Sequence, residues 1–436
     1  MKRFDRKALL FIFIKAGVIM SKLIIEGGRR LCGEVKLQGA KNSVLPILAA
    51  TLMIKGVSVI HNCPRLSDVE VAIKILSFLG CECYRENDCI TVDATNVICD
   101  RIPDELMREM RSSVMFLGAI LSRCKSAVIS SPGGCELGPR PIDLHLKALT
   151  DLGYEIDDKN GYIICSKRNK SSCGSVNLSF PSVGATENSI LASVLSTGTT
   201  IIRGAAKEPE IVDLADFLNK AGAKIRGAGT DIIEIEGVSS LHSTEHTVIP
   251  DRIAAATFMS AAAMTRGDIS VLNACPEHLS AVINSFMQMG CNVFRGKDYL
   301  RVIFDNRPKA VHMTKTLVYP GFPTDAGPLF SAALSIADGC SVFVETIFEN
   351  RFRYLDELAR LGAKIRIQNR VAVIEGVSSL KGAKVSCTDL RGGAALVVAG
   401  LSAGGITEID DTYHIERGYE EIDKQFSLLG AKIFYK

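Results

Sequence analysis

One short pattern returns six times along this chain. An apolar residue precedes a glycine, and an extended apolar stretch follows: Leu79-Gly80-Cys81, Leu152-Gly153-Tyr154, Ala221-Gly222-Ala223, Met289-Gly290-Cys291, Leu361-Gly362-Ala363 and Leu429-Gly430-Ala431. The glycines stand 68 to 73 residues apart. That period exceeds the ~20–50 residues of a solenoid repeat, so each copy is a whole supersecondary unit. A long apolar run precedes each glycine: Val44–Met53, Val114–Leu121, Ile190–Leu195, Ile253–Met264, Leu329–Ile336 and Ala394–Leu401. Helices that are apolar on every side are buried. A strand follows each run, then an amphipathic helix such as Asp213–Ala221 or Tyr354–Leu361, which the glycine terminates as a C-cap. A hairpin such as Lys224–Glu236 closes the unit, with its turn at Gly227–Thr230.

The expected architecture is therefore α/β, with six units of helix–strand–helix–strand–strand. At 436 residues the chain is too long for one core, so the units are expected to form two domains of three. A buried helix in every unit suits a closed arrangement. The break is expected near Ile249–Asp251. Residues 42–250 then form the first domain, and residues 20–41 plus 251–436 the second, with the strand region 21–38 packing in the second half. Residues 1–19 read as an N-terminal extension. Lys2, Arg3, Arg6 and Lys7 precede the apolar run Ala8–Ile14, which is short for a bilayer span and lacks a small-residue cleavage site.

The 14 cysteines show no zinc-type spacing, and the seven histidines are scattered, so neither a metal site nor a disulfide framework is expected. Free thiols in that number suit a reducing, cytoplasmic setting. A net charge of +3 and the absence of tryptophan argue against a nucleic-acid groove and give no reason to expect a membrane surface.

Polar residues recur just ahead of the buried runs: Lys41-Asn42, Arg111, Thr186-Glu187-Asn188, Asp251-Arg252, Asp325 and Asp389-Leu390-Arg391. Parallel helices would gather these N-termini on one face, where partial positive charge and free N–H groups attract anions. Thr186, Asp251 and Asp325 read equally well as N-caps. Lys41, Arg111 and Arg391 are poor caps and call for another role. The segment Ser131–His145, SPGGCELGPRPIDLH, presents a thiol (Cys135) and a guanidinium (Arg140) among glycines and prolines. It reads as a lid over an anionic substrate or as a turn around a buried cysteine.

Eight segments taken together carry a resemblance: GAKNS (Gly39–Ser43), PGGCELGPRPIDLH (Pro132–His145), PSVGATEN (Pro181–Asn188), EPEIVD (Glu208–Asp213), FPTDAGPLF (Phe322–Phe330), ETIFENRF (Glu345–Phe352), TDLRGGAALV (Thr388–Val397) and YHIERGYE (Tyr413–Glu420). From about Met20 onward the chain resembles the enolpyruvyl transferase family, in its branch acting on UDP-N-acetylglucosamine. The resemblance implies a two-domain inside-out α/β barrel, six repeated units with three per domain. It implies transfer of the enolpyruvyl group of phosphoenolpyruvate to the sugar 3-hydroxyl through a tetrahedral adduct, with release of phosphate. No cofactor, metal or obligate protein partner is expected.

By the same resemblance Cys135 protonates the methylene carbon and Asp325 is the base at the sugar hydroxyl, with Asp389 close enough in motif to share that work. Arg140 beside Cys135 would lower the thiol's pKa. Lys41, Arg140 and Arg417 would hold the phosphate and carboxylate of phosphoenolpyruvate, with Asn42 and Arg391 around them. Arg111, the stretch Arg140, Pro141, Ile142, Asp143 and Leu144, the backbone of Ser182, Val183 and Gly184, and Ile347 and Arg351 would line the nucleotide-sugar pocket. Some family members carry lysine where this chain has Phe180, so an ionic diphosphate contact is lost there. The alternatives are a shikimate 3-phosphate enolpyruvyl transferase, in which the Cys-bearing loop is absent, and a non-catalytic sensor on the same fold. His145 and His414 need no catalytic role.

Overall fold

A computed structural model describes residues 22–130, 142–167 and 174–436. The extension 1–19 and most of the Cys135 loop lie outside the described residues.

Six buried helices organise the molecule. They are α1 (Lys41–Thr51), α2 (Phe116–Cys124), α3 (Val183–Val194), α4 (Arg252–Thr265), α5 (Gly327–Leu334) and α6 (Leu390–Ser402). A single 3-10 turn, Arg111–Met115, leads into α2. The composition explains the burial. Alanine, glycine and serine recur among the buried positions of α4 and α6, where they admit close neighbours. At Gly392 a Cβ would lie 2.9 Å from the Tyr354 Cβ, and at Gly393 one would lie 2.8 Å from the Cys387 sulfur. The α4 start is fixed by Asp251, whose carboxylate accepts from the Ile253 and Ala254 amides. The six repeat glycines all take positive φ, between 84° and 105°, which explains why the pattern tolerates no side chain there.

Buried apolar residues fall into two clusters. One runs from Ala40 to Val248; the other combines Leu23–Leu37 with Ile253–Ile433. Each buried helix is followed by a strand of a small sheet, inside the sheet in five cases and, for Ser126–Ser130, at the edge of a three-stranded sheet centred on Tyr162–Lys167. These strands are Val57–His61, Ser126–Ser130, Thr199–Arg203, Asp268–Leu272, Cys340–Val344 and Ile406–Asp410. Among the described residues there are five four-stranded sheets and one three-stranded sheet.

The parallel edge strands carry the topological information. Ser175–Asn177 leads into α3 and pairs with the strand after α3, Thr199–Arg203. Met313–Lys315 and Lys384–Ser386 do the same around α5 and α6. These are ordinary β–α–β steps. The strands leading into α1 and α4 are exchanged. Cys32–Lys36, which feeds α1, pairs with Asp268–Leu272 after α4. Thr244–Thr247, which feeds α4, pairs with Val57–His61 after α1. The two connections therefore cross between the clusters and touch there through a bridge between Gly39 and Pro250. The Gly39 backbone lies so close to the Asn62 carbonyl that a Cβ would sit 1.8 Å from it. The strand Leu23–Glu26 lies between Ile406–Asp410 and Lys432–Tyr435 and completes the last sheet.

Candidate active site

The crossing sets the geometry of the site, because it brings the starts of α1 and α4 together. The Lys41 amide, first in α1, faces an Asp251 carboxylate oxygen at 3.4 Å. The Lys41 side chain is buried, with its Nζ 2.6 Å from Oδ2 of Asp68. Asp68 sits in the first turn of the helix Ser67–Leu79. From the other apolar cluster Arg417 reaches the same carboxylate. Its Nε donates to Oδ1 at 3.0 Å and its Nη2 to Oδ2 at 3.3 Å. One buried carboxylate thus holds two cations.

The charge imbalance appears in the titration behaviour. Burial works to raise the Asp68 pKa, but Lys41 and Arg417 outweigh it and hold the carboxyl below its usual range. Lys41 is also depressed. Burial is the main cause, and the charges of Arg417 and Arg391 add to it against the pull of Asp68. Neighbouring guanidinium charge thus lowers both pKa values.

A second group lies at the start of α5 and α6. Asp325, in the 3-10 turn Thr324–Ala326, accepts from Nη2 of Arg351 at 3.1 Å, and its other oxygen lies 3.6 Å from Nε of Arg391. Both arginines are about 2% exposed. Arg391 lies against the Tyr419 ring at 5.3 Å, and its Nε and Nη1 make no hydrogen bond. Asp389 caps α6 by accepting from the Arg391 and Gly392 amides and lies 3.8 Å from Arg351. Buried Glu345 ties the loop together, accepting from Thr316, Thr324 and the Ile347 and Phe348 amides.

A third group surrounds the start of α3. Ser182 caps that helix by accepting from the Ala185 amide, and Val183 and Gly184 form its first turn. A Cβ on Gly184 would lie 2.8 Å from the His145 ring, so the glycine permits close contact with the helix Asp143–Asp151. His145 in turn meets the Asn188 amide at 2.8 Å. Ile142 and Leu144 are half-buried beside them, and Asp143 is exposed.

The sequence-derived residues separate accordingly. Lys41 and Arg417 meet at Asp68; Asp325, Arg351 and Arg391 meet one another, with Asp389 beside them. The charge of Arg391 reaches Lys41, which places the two groups in one electrostatic neighbourhood. Asn42 is exposed at the α1 start, and Ile347 is half-buried in the Glu345 loop. Arg111 opens its 3-10 turn. Cys135, Arg140 and Pro141 lie outside the described residues. The expectation of Thr186 as a cap is corrected: α3 begins earlier, Ser182 caps it, and the Thr186 hydroxyl bonds internally to the Ser182 carbonyl. Asp251 does cap α4. Asp68 was not singled out from sequence. An acidic residue in a helical first turn looks like routine dipole compensation. Among the described residues no group of three His, Cys, Asp or Glu side chains could hold a metal, and no helix is long and apolar enough to cross a membrane.

Comparison with known proteins adds an independent line. The family model described as EPSP synthase (3-phosphoshikimate 1-carboxyvinyltransferase) matches residues 25–426. The chain is 55% identical over 414 residues to UDP-N-acetylglucosamine 1-carboxyvinyltransferase 2 of Caldanaerobacter subterraneus subsp. tengcongensis, covering 95% of this chain and 99% of that one. It is 49% identical to UDP-N-acetylglucosamine 1-carboxyvinyltransferase 1 of Symbiobacterium thermophilum, covering 94% of each. Among solved structures, the enolpyruvyl transferase NikO from Streptomyces tendae matches with a TM-score of 0.85 at 24% identity, over 96% of this chain and 99% of that chain. EPSP synthase from Acinetobacter baumannii matches at 0.73 and 18%, over 96% of this chain and 100% of that chain. The structural likenesses speak to fold alone.

Proposed function

This chain belongs to the UDP-N-acetylglucosamine 1-carboxyvinyltransferases, within the enolpyruvyl transferases, and from that membership we propose how its ionic clusters divide the work. The enzyme transfers the enolpyruvyl group of phosphoenolpyruvate to the 3-hydroxyl of UDP-N-acetylglucosamine and releases phosphate, which serves peptidoglycan precursor synthesis. In our reading the two apolar clusters are two inside-out α/β barrels of three units each, residues 42–250 against residues 20–41 plus 251–436, and the substrates enter between them.

The observation that carries the reading is the Lys41–Asp68–Arg417 cluster, two cations on one carboxylate, each cation from a different apolar cluster. A phosphate dianion is a better partner for both than a single carboxylate, and binding it would exchange Asp68 for substrate. Arg140 joins them on the phosphate, and Arg391, with two unbonded N–H groups, is suited to the carboxylate of phosphoenolpyruvate. Asn42 borders the same site. Ser182, Val183, Gly184, Arg111, Ile142, Asp143, Leu144, Ile347 and Arg351 surround the nucleotide sugar.

In the addition step the sugar 3-oxygen bonds to C2 of phosphoenolpyruvate and its proton passes to Asp325. The enol double-bond pair takes a proton from the Cys135 thiol onto C3. In elimination, C3 returns a proton to the Cys135 thiolate, the double bond re-forms, and the C2–O bond to phosphate breaks, the phosphate leaving with the proton taken up by Asp325. Lys41 and Arg417 receive the departing phosphate charge. The pairing of Asp325 with Arg351 orients that carboxylate.

The test is phosphate release from phosphoenolpyruvate with UDP-N-acetylglucosamine and shikimate 3-phosphate as competing acceptors. Release should follow the nucleotide sugar alone, and Cys135→Ser should abolish most of it. Turnover with shikimate 3-phosphate in preference to the nucleotide sugar would overturn the acceptor assignment.

A further inference from the structure

Gln38 lies in the crossing, three residues before Lys41, and does something the reaction does not require of it. It is buried, 8% exposed, and its side chain leaves its own segment altogether. Its Nε2 donates to the Gly418 carbonyl at 3.0 Å, and its Oε1 accepts from the Glu420 amide at 2.8 Å. Both partners are backbone groups of the turn that carries Arg417. The Gln38 backbone is itself fixed, because the Asp251 amide donates to its carbonyl at 3.0 Å and the Ala40 amide to Ile249 at 2.7 Å. A two-point bond from a primary amide to a peptide donor and a peptide acceptor mimics a strand pair and sets both the position and the tilt of what it holds.

We propose that Gln38 is a positioning residue for phosphoenolpyruvate binding: it registers the Arg417 turn against the crossing from which Lys41 emerges. One segment then references both cations that hold the phosphate. The proposal rests on the reading of Lys41 and Arg417 as phosphate ligands. Gln38 touches no substrate and acts through Arg417. Behind it lies an open groove lined by Lys36, Asn62, Pro64, Asp88 and Gln425. Loss of the amide would leave the two turn peptides to water from that groove, and the turn free to drift.

The experiment compares steady-state constants of Gln38→Ala, Arg417→Lys and the double variant in the full chain. Gln38→Ala should raise the KM for phosphoenolpyruvate roughly tenfold, since small misplacements of a binding group cost that much or more. The KM for UDP-N-acetylglucosamine should stay within about twofold. Arg417→Lys should raise the same phosphoenolpyruvate KM, and the double variant should be no worse than Arg417→Lys alone, the signature of two residues acting as one. A merely structural glutamine would shift both KM values or neither. An unchanged phosphoenolpyruvate KM in Gln38→Ala, with Arg417→Lys impaired, overturns the proposal and leaves the functional reading standing. An unchanged KM in Arg417→Lys overturns the phosphate role of Arg417, and the proposal with it. If Gln38→Ala fails to fold, Gln38→Met keeps the buried volume without the bonds and is read by the same criteria.

Discussion

Two buried ionic clusters join residues of the two apolar cores, one built on a shared carboxylate and the other on a shared guanidinium. Around Asp68, two cations share one carboxylate. Around Arg252, one guanidinium serves an excess of acid. It binds Glu210 through two bonds, at 2.9 and 3.3 Å, while Glu208 and Glu187 lie close by. The difference lies in how each cluster handles its charge. Burial, then the charges of Glu210 and Glu208, push the Glu187 carboxyl well above its ordinary value, and burial raises Glu208 as well. Excess carboxylate is discharged by holding a proton, and the cluster closes on itself. In the other cluster Lys41 binds its proton less tightly than a free lysine, but arginine does not release its own. Arg417 therefore stays charged, and an arriving phosphate competes with Asp68 for it. Under the proposed function the acid-rich cluster fastens the halves together and the Asp68 cluster receives the ligand.

Three changes should break or sharpen that contrast. The largest effect is expected from Lys41→Met, which should lower kcat/KM by about 10²–10³-fold while the melting temperature moves little. A large fall in melting temperature with activity intact would make the cation-rich cluster structural after all. Next, Arg252→Met should cost about 3–5 kcal/mol of stability by stranding Glu210, and Glu210→Leu added to it should restore most of that loss. Denaturant midpoints for the two variants decide the matter; equal losses would mean the pair is not what matters there. The smallest effect is Glu187→Gln, whose sign depends on pH. Glu187 binds its proton more tightly when folded, so the parent loses stability as pH rises from the unfolded value of ~4.3 towards the raised folded value. Glu187→Gln lacks that loss. The two proteins should be equally stable near pH 4, and the variant should gain steadily above it. A pH-independent difference would show that Glu187 is ionised in the fold.

The same contrast shows what could be read from sequence. Lys41, Asp325, Arg391 and Arg417 stand in distinctive motifs at helix starts or turns, and their residue types mark them as candidates. The buried helices and the six glycine turns were legible because small-residue runs and positive φ leave clear signatures. Asp68 was not legible, since acidic residues in first turns are ordinary, and what makes this one different is an arginine 349 positions away. The exchange of Cys32–Lys36 with Thr244–Thr247 was equally hidden. Each has the pattern of any edge strand, and partner choice lies in the crossing. The α3 start was read late because Pro181–Gly184 looks like a loop, although its serine is a good cap.

The strand Leu23–Glu26 has a consequence for how the protein is made. Ile24 pairs with Glu408 on one side and Phe434 on the other. On a ribosome adding about 5–20 residues per second, that strand waits on the order of tens of seconds for its partners. Residues 40–248 can meanwhile bury their own cluster. The nascent chain thus carries an apolar, unpaired ribbon beside a folded half, a natural foothold for chaperones until synthesis reaches the final strand.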